Sequence, residues 1–166
     1  MRRLPAIAAL LIVAGSGCGS PTEPHRAVLS LLRQAEAIWA DSALTSYSIV
    51  QERFCECLPS EIGPVRLTVA VGGGAVNAET IVSAVYVEGG EPVAAGHSFL
   101  SVRQLFELIR EAARTNADVI EVGFNAIYGY PSDVLIDYDR AIADDERVYT
   151  TYDLQNLAEA AAVGAP

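Results

Sequence analysis

Apolar residues recur at intervals of three and four in two stretches of the chain, the spacing that places them on one face of an α-helix. The first stretch runs from Arg26 to about Asp41, and we expect Trp39 to pack on the sheet. The second follows Ser101, and Gln104 completes a capping-box pattern that predicts a helix start. The apolar positions are Val28, Leu31, Leu32, Ala35, Ile38 and Trp39 in the first stretch, and Leu105, Leu108, Ile109, Ala112 and Ala113 in the second.

Alternation of apolar and polar residues predicts strands elsewhere in the chain. Short links between consecutive strands favour antiparallel pairing. The sequence therefore predicts an α+β fold, with a mostly antiparallel sheet of about five to six strands and two helices packed on one face. The predicted strands are 46–54, 65–71, one or two within 75–87, 119–125, 133–139 and 146–154, with a loop over 88–96 and a turn over 128–131.

The N-terminal segment has the pattern of a bacterial export signal. Arg2 and Arg3 precede a short apolar run, and small residues lead to Cys18. The apolar run is shorter than the roughly 20 residues of a membrane-spanning helix. We therefore expect residues 1–17 to be removed and Cys18 to be lipidated, with simple secretion as the alternative because Gly15 stands where lipoprotein signals usually carry Leu.

The remainder of the chain is long enough for one domain with its own core. We expect a Pro-rich tether over 18–25, a single domain over 26–157 and a frayed tail over 158–166. The predicted signal holds two of the 11 basic residues and none of the 21 acidic ones, so its removal takes the formal charge from −10 to −12. This acidity argues against nucleic acid as a partner.

Cys55 and Cys57 form an even pair in an oxidising compartment once Cys18 carries the lipid. In an extended strand their Cβ atoms would lie too far apart for a disulfide, so bonding needs a bend, and Pro59 indicates that the strand ends there. A structural disulfide between the two is the preferred interpretation. A redox-active pair stays open, because a strained disulfide is more easily reduced. Half of a four-ligand metal site also stays open, with only His25 and His97, both in predicted loops, to complete it.

Acidic residues cluster near the end of the chain, where carboxylate oxygens converging on a loop could hold Ca²⁺. The spacing departs from the EF-hand pattern, since Ala141 and Ile142 stand where an acidic residue and Gly belong. A solvated hairpin without metal is the preferred interpretation. The candidate ligands are Asp137, Asp139, Asp144, Asp145 and Glu146.

The order and spacing of several landmarks resemble a family of uncharacterised bacterial exported lipoproteins with a domain of unknown function. The resemblance covers the chain from about Trp39 to Leu154, and it implies the fold and an envelope location but no chemistry. The landmarks are Trp39, Ser46-Tyr47-Ser48, Cys55-x-Cys57, the Gly-rich hairpin after Val65, the Leu105-Phe106 helix, Tyr128-Gly129-Tyr130-Pro131, Ile136-Asp137 and Asp144-Asp145-Glu146.

No catalytic set is predicted, since His97 near Ser98 is not a triad and Gly72-Gly73-Gly74 lacks the lysine of a phosphate loop. The leading hypothesis is a non-enzymatic binding or structural domain of the bacterial cell envelope, anchored by lipid and facing outside the cytoplasm. It would bind an envelope protein or another envelope component without a cofactor. The alternatives are a thiol/disulfide redox protein and a calcium-dependent module. Dependence on reducing agent or on calcium separates them.

Overall fold

A computed structural model describes residues 22–55, 58, 62–72, 78–143 and 145–158 of the 166-residue chain. Two helices, each followed by three strands, form an α+β arrangement. None of the helices in these ranges is long and apolar enough to cross a membrane. The elements are α1 (Glu23–Asp41), β1 (Ser46–Phe54), β2 (Val65–Gly72), β3 (Ala78–Tyr86), α2 (Val102–Thr115), β4 (Val119–Phe124), β5 (Pro131–Asp137) and β6 (Arg147–Asn156).

All six strands belong to one antiparallel sheet with the order β3-β2-β1-β6-β5-β4. The two hairpin pairs, β2–β3 and β4–β5, therefore lie at opposite ends, and β1 and β6 join them at the centre. The predicted antiparallel sheet is confirmed with six strands, and the region 75–87 contributes one of them, Ala78–Tyr86.

Alternate strand positions and the inner stripes of both helices form one buried core. We call the sheet face that carries these positions the core face, and the alternate positions the outer face. The α1 stripe is narrower than predicted, since Leu31 is 50% exposed and Ile38 is 41% exposed, whereas Leu32 and Ala35 are buried. The core face carries Tyr47, Ile49, Val65, Leu67, Val69, Val134, Ile136 and Tyr149.

The ends of several elements differ from the sequence prediction. Helix α1 begins at Glu23, three residues before the predicted start, because Pro24 occupies its first turn, where a missing N–H is tolerated. Strand β5 begins at Pro131 and ends at Asp137, and β6 continues to Asn156. The predicted capping box is present, with Ser101 and Gln104 each accepting the other's backbone N–H.

The carboxylate of Glu79 connects its own strand, β3, with α1, β1 and the start of α2. Its Oε1 accepts the indole N–H of Trp39 at 3.1 Å, and its Oε2 accepts the Tyr47 hydroxyl at 2.8 Å and the Arg103 backbone N–H at 2.9 Å. The Tyr47 oxygen accepts the Val102 N–H at 3.1 Å. With the capping box, these contacts satisfy the first-turn N–H groups that a helix leaves unpaired.

The β4–β5 loop packs its glycine directly against α1. Gly129 has φ +78°, and a Cβ there would overlap the Ala35 carbonyl oxygen and lie 3.0 Å from the Cβ of Ile38. Asn125 shapes the loop, because its side-chain oxygen accepts the N–H groups of Ile127 and Tyr128. The predicted turn is therefore also the contact between this hairpin and α1.

Replacement of Gly129 by Ala should lower the free energy of unfolding by at least about 2 kcal/mol, because it adds left-handed strain and overlap with α1. Chemical unfolding measures the loss. Gly90→Ala is the matched control, since Gly90 has φ +71° with no atom within 4 Å of an added Cβ. Equal losses in the two variants would show that the contact with α1 contributes nothing.

Candidate functional site

Two neighbouring rows of side chains cross the outer face from β1 to β4. The register pairs Phe54 with Val148, Val148 with Leu135, and Leu135 with Glu121. The next row lies two positions along each strand. In it, Glu52 pairs with Thr150, Thr150 with Asp133, and Asp133 with Gly123. One row is therefore mainly apolar, the other is mainly polar, and neither contains a basic residue.

A shallow groove of about 250 Å³ lies over β4, β5 and β6 within these rows. Leu135 and Val148 are half-buried along it, whereas Glu121 and Asp133 are exposed at its margin. Phe54, at the β1 end of the apolar row, is 52% exposed. An apolar floor with carboxylates at its rim suits a ligand that combines methylene groups with positive charge. We call the groove, together with the two rows of side chains that contain it, the outer-face groove.

Side chains of the β5 strand lie close over Gly123 at the β4 side of the groove. A Cβ at this position would lie 3.1 Å from the Ser132 hydroxyl oxygen and 3.2 Å from Oδ2 of Asp133. The Asp133 carboxylate therefore leans over Gly123 toward the edge of the sheet. Any larger residue at position 123 would displace it.

Hydrogen bonds orient the polar side chains next to the groove. The Tyr152 hydroxyl donates to Oε1 of Glu52 at 2.6 Å, and this bond, followed by burial, raises the pKa of Tyr152. Arg66 donates to Oδ2 of Asp153 at 2.6 Å and lowers the pKa of that carboxyl. Since Arg66 pairs with Asp153, its charge is already matched outside the two rows.

The predicted lipid and disulfide residues fall largely outside the described part of the chain. Cys18 and Cys57 both lie in undescribed segments. Cys55 directly follows the end of β1 at Phe54, as predicted for a strand end, and it is disulfide-bonded. Pairing of Cys55 with Cys57 stays a prediction.

The acidic hairpin uses its carboxylates mainly to hold its own turns. Oδ2 of Asp145 accepts the Asp139 N–H at 3.0 Å, and Oδ1 of Asp139 accepts the Ala141 N–H at 2.9 Å. The described residues contain no group of three or more His, Cys, Asp or Glu side chains placed to hold a metal ion, and Asp144 is not among them. Glu146 is exposed.

Asp137, at the end of β5, is the residue of this hairpin whose ionised form the surroundings disfavour. Desolvation and the charges of Asp145, Glu146 and Asp118 raise its pKa. Within the described residues, Oδ1 of Asp137 and Oδ1 of Asp145 are buried without a hydrogen-bond partner. The carboxylate therefore destabilises the fold when it is ionised.

The two histidines have structural surroundings that the sequence did not indicate. His25, expected in a loop, lies in α1, and its Nε2 donates to the Ala117 carbonyl at 2.9 Å. His97, expected on a loop surface, is half-buried with its ring 5.8 Å from that of Phe99. Neither histidine contributes to the outer-face groove.

The alternation of the predicted strand 133–139 puts Asp133 on its polar, outward face. The sequence does not bring it together with Glu52, Glu121 and Gly123. Alternation within a strand indicates which side chains share a face. Only the strand order and register show which of them become neighbours. The groove was therefore missed, although each of its positions was visible as part of a strand.

The fold defines a small α+β domain with one six-stranded antiparallel sheet and two helices. Residues 31–156 match the model of a family described as a family of unknown function (DUF6174), and the chain belongs to this family. No curated protein and no solved structure matches the chain. The resemblance inferred from the sequence is confirmed as membership of a family of unknown function.

Asp137→Asn should raise the unfolding temperature at pH 7, because it removes an ionised carboxylate next to Asp145 and Glu146. Protonation of Asp137 favours the fold, and that contribution is lost as the pH rises from the unfolded value of 3.8 through the higher folded pKa. The advantage of the variant should therefore vanish below about pH 4. Differential scanning calorimetry against pH measures both effects.

The matched control is Asp133→Asn, on the same strand but four residues before Asp137, which should change the midpoint less. A midpoint for Asp137→Asn at or below that of the wild type at pH 7 would contradict the electrostatic account. Repeating the scans with calcium and with a chelator tests the calcium hypothesis, and an unchanged wild-type midpoint would discard the ion.

Proposed function

We propose that this chain is a lipid-anchored domain of the bacterial cell envelope that binds another envelope protein through the outer-face groove and does not catalyse a reaction. The observation that carries the proposal is the pair of rows on the outer face, apolar at Phe54, Val148 and Leu135 and acidic at Glu121 and Asp133. Such a surface offers apolar area for contact and charges that select the partner.

Both helices would cover the core face in this proposal and leave the outer face for the partner. Helices α1 and α2 contact each other, both contact β4, and α2 contacts β5. Their buried residues belong to the same cluster as the core-face residues of the sheet. These contacts support a two-layer arrangement in which the groove lies on the side away from the helices.

The lipid anchor is proposed from the N-terminal pattern of Arg2, Arg3, the apolar run and Cys18. An anchor on a short tether would hold the domain close to the membrane surface and facing outside the cytoplasm. A single acyl chain gives only marginal binding, so stable anchoring needs more than one. The membrane would then be reached through lipid, not through the acidic protein surface.

Lipidation predicts that the chain incorporates labelled palmitate and fractionates with membranes. Cys18→Ser should lose both properties, whereas Cys55→Ser, the matched control, should keep them. Mass spectrometry of the mature N-terminus is the direct measurement. An unmodified N-terminus at Ser16 or Gly17 would replace the anchor by simple secretion.

The binding role predicts that Phe54→Arg reduces the recovery of a cross-linked envelope partner at least fivefold, because a charge in the apolar row disrupts its contact surface. Val82→Arg is the matched control, since Val82 is also an exposed apolar strand residue, at 60% exposure, but lies on β3. Quantitative mass spectrometry of material purified from solubilised envelopes compares the variants. Equal recovery with both would show that the outer-face groove is not the binding surface.

A further inference from the structure

We propose that the open edge of β4 binds an extended segment of a partner protein and that an arginine of this segment pairs with Asp133 and Glu121 beside Gly123. The inference rests on the proposed function, because it names the chemistry of the partner at the same groove. The partner segment would add a seventh strand to the sheet and place its arginine on the outer face.

The two edges of the sheet differ in how far they are already covered. At the β3 edge, the segment after the strand returns to it, with a bridge between Val85 and Pro92 and a bond of 2.9 Å from the Val93 N–H to the Ala84 carbonyl. No such return is found at β4 among the described residues, where the sheet ends. An uncovered edge presents backbone N–H and C=O groups that an extended chain can pair with.

The absence of a side chain at Gly123 lets the Asp133 carboxylate approach that edge. A strand added beside β4 would lie two strand spacings, roughly 10 Å, from β5. Because Gly123 has no side chain, the Asp133 carboxylate lies over it and leans toward the edge, where a long side chain of the added strand can meet it. Glu121, two residues along β4, lies on the same face.

Charge complementarity identifies the side chain that meets this carboxylate as an arginine. The two rows contain Glu52, Asp133 and Glu121 and no basic residue. A guanidinium presents a planar fork of donors that can serve two carboxylates at once, and it is more weakly hydrated than an ammonium.

The test measures binding of a fluorescent peptide of alternating arginine and threonine to the chain purified from the envelope, with a glutamate and threonine peptide as the charge control. Fluorescence anisotropy gives the dissociation constants at low and at physiological ionic strength. Glu121→Gln combined with Asp133→Asn should weaken binding of the arginine peptide about tenfold. Gly123→Val keeps the charge but displaces the Asp133 carboxylate from the edge, and it should weaken binding by a similar factor.

Two controls separate this site from general attraction to an acidic protein. Glu88→Gln combined with Glu91→Gln makes the same change of charge on an exposed loop and should alter the affinity less than twofold. An arginine peptide methylated at alternate backbone nitrogens cannot pair fully with β4 and should bind at least tenfold more weakly. Thermal unfolding of each variant verifies that it is folded.

Equal affinity for the two peptides, an equal loss with the loop variant, or unchanged binding of the methylated peptide would overturn the inference. If Phe54→Arg abolishes recovery of the partner while the groove-charge variant binds the arginine peptide as the wild type does, this inference fails and the proposed function stands. If the peptide results hold but Phe54→Arg and Val82→Arg recover the partner equally, the proposed function fails instead.

Discussion

The carboxylate of Glu79 is the contact on which the arrangement of helices and sheet depends. It accepts hydrogen bonds from Trp39 of α1, Tyr47 of β1 and the first turn of α2, while its own backbone belongs to β3. A buried donor left without a partner costs roughly 1–3 kcal/mol, so loss of this carboxylate would be felt in several elements at once. Burial and the Glu79 charge raise the pKa of Tyr47, which keeps the hydroxyl protonated as a donor.

This network and the core together assign different roles to the two faces of the sheet. The core face carries large apolar side chains that are almost completely buried with those of α1 and α2. The outer face alternates with it but carries carboxylates beside half-buried apolar residues. Packing in the core therefore accounts for the apolar residues of the core face. It does not account for the partly exposed apolar row of the outer face.

Several of the landmarks named from the sequence make internal contacts. The rings of Trp39 and Tyr47 meet edge to face at 5.1 Å, and Gly129 lies against α1 where no side chain would fit. Tyr130 is buried in the core. The family match over residues 31–156 covers both these fold-building residues and the residues of the outer-face groove.

The sequence by itself determined the secondary structure, the antiparallel α+β class and the inward-facing strand positions, because hydrophobic period and turn residues are local properties. It also showed Asp133 as an outward position and Ser101 as a helix cap. Only the tertiary structure decided that β6 lies between β1 and β5, which brings Phe54, Val148 and Leu135 into one row. The groove and the Glu79 contacts join residues far apart in the chain, and no local pattern specifies such pairings.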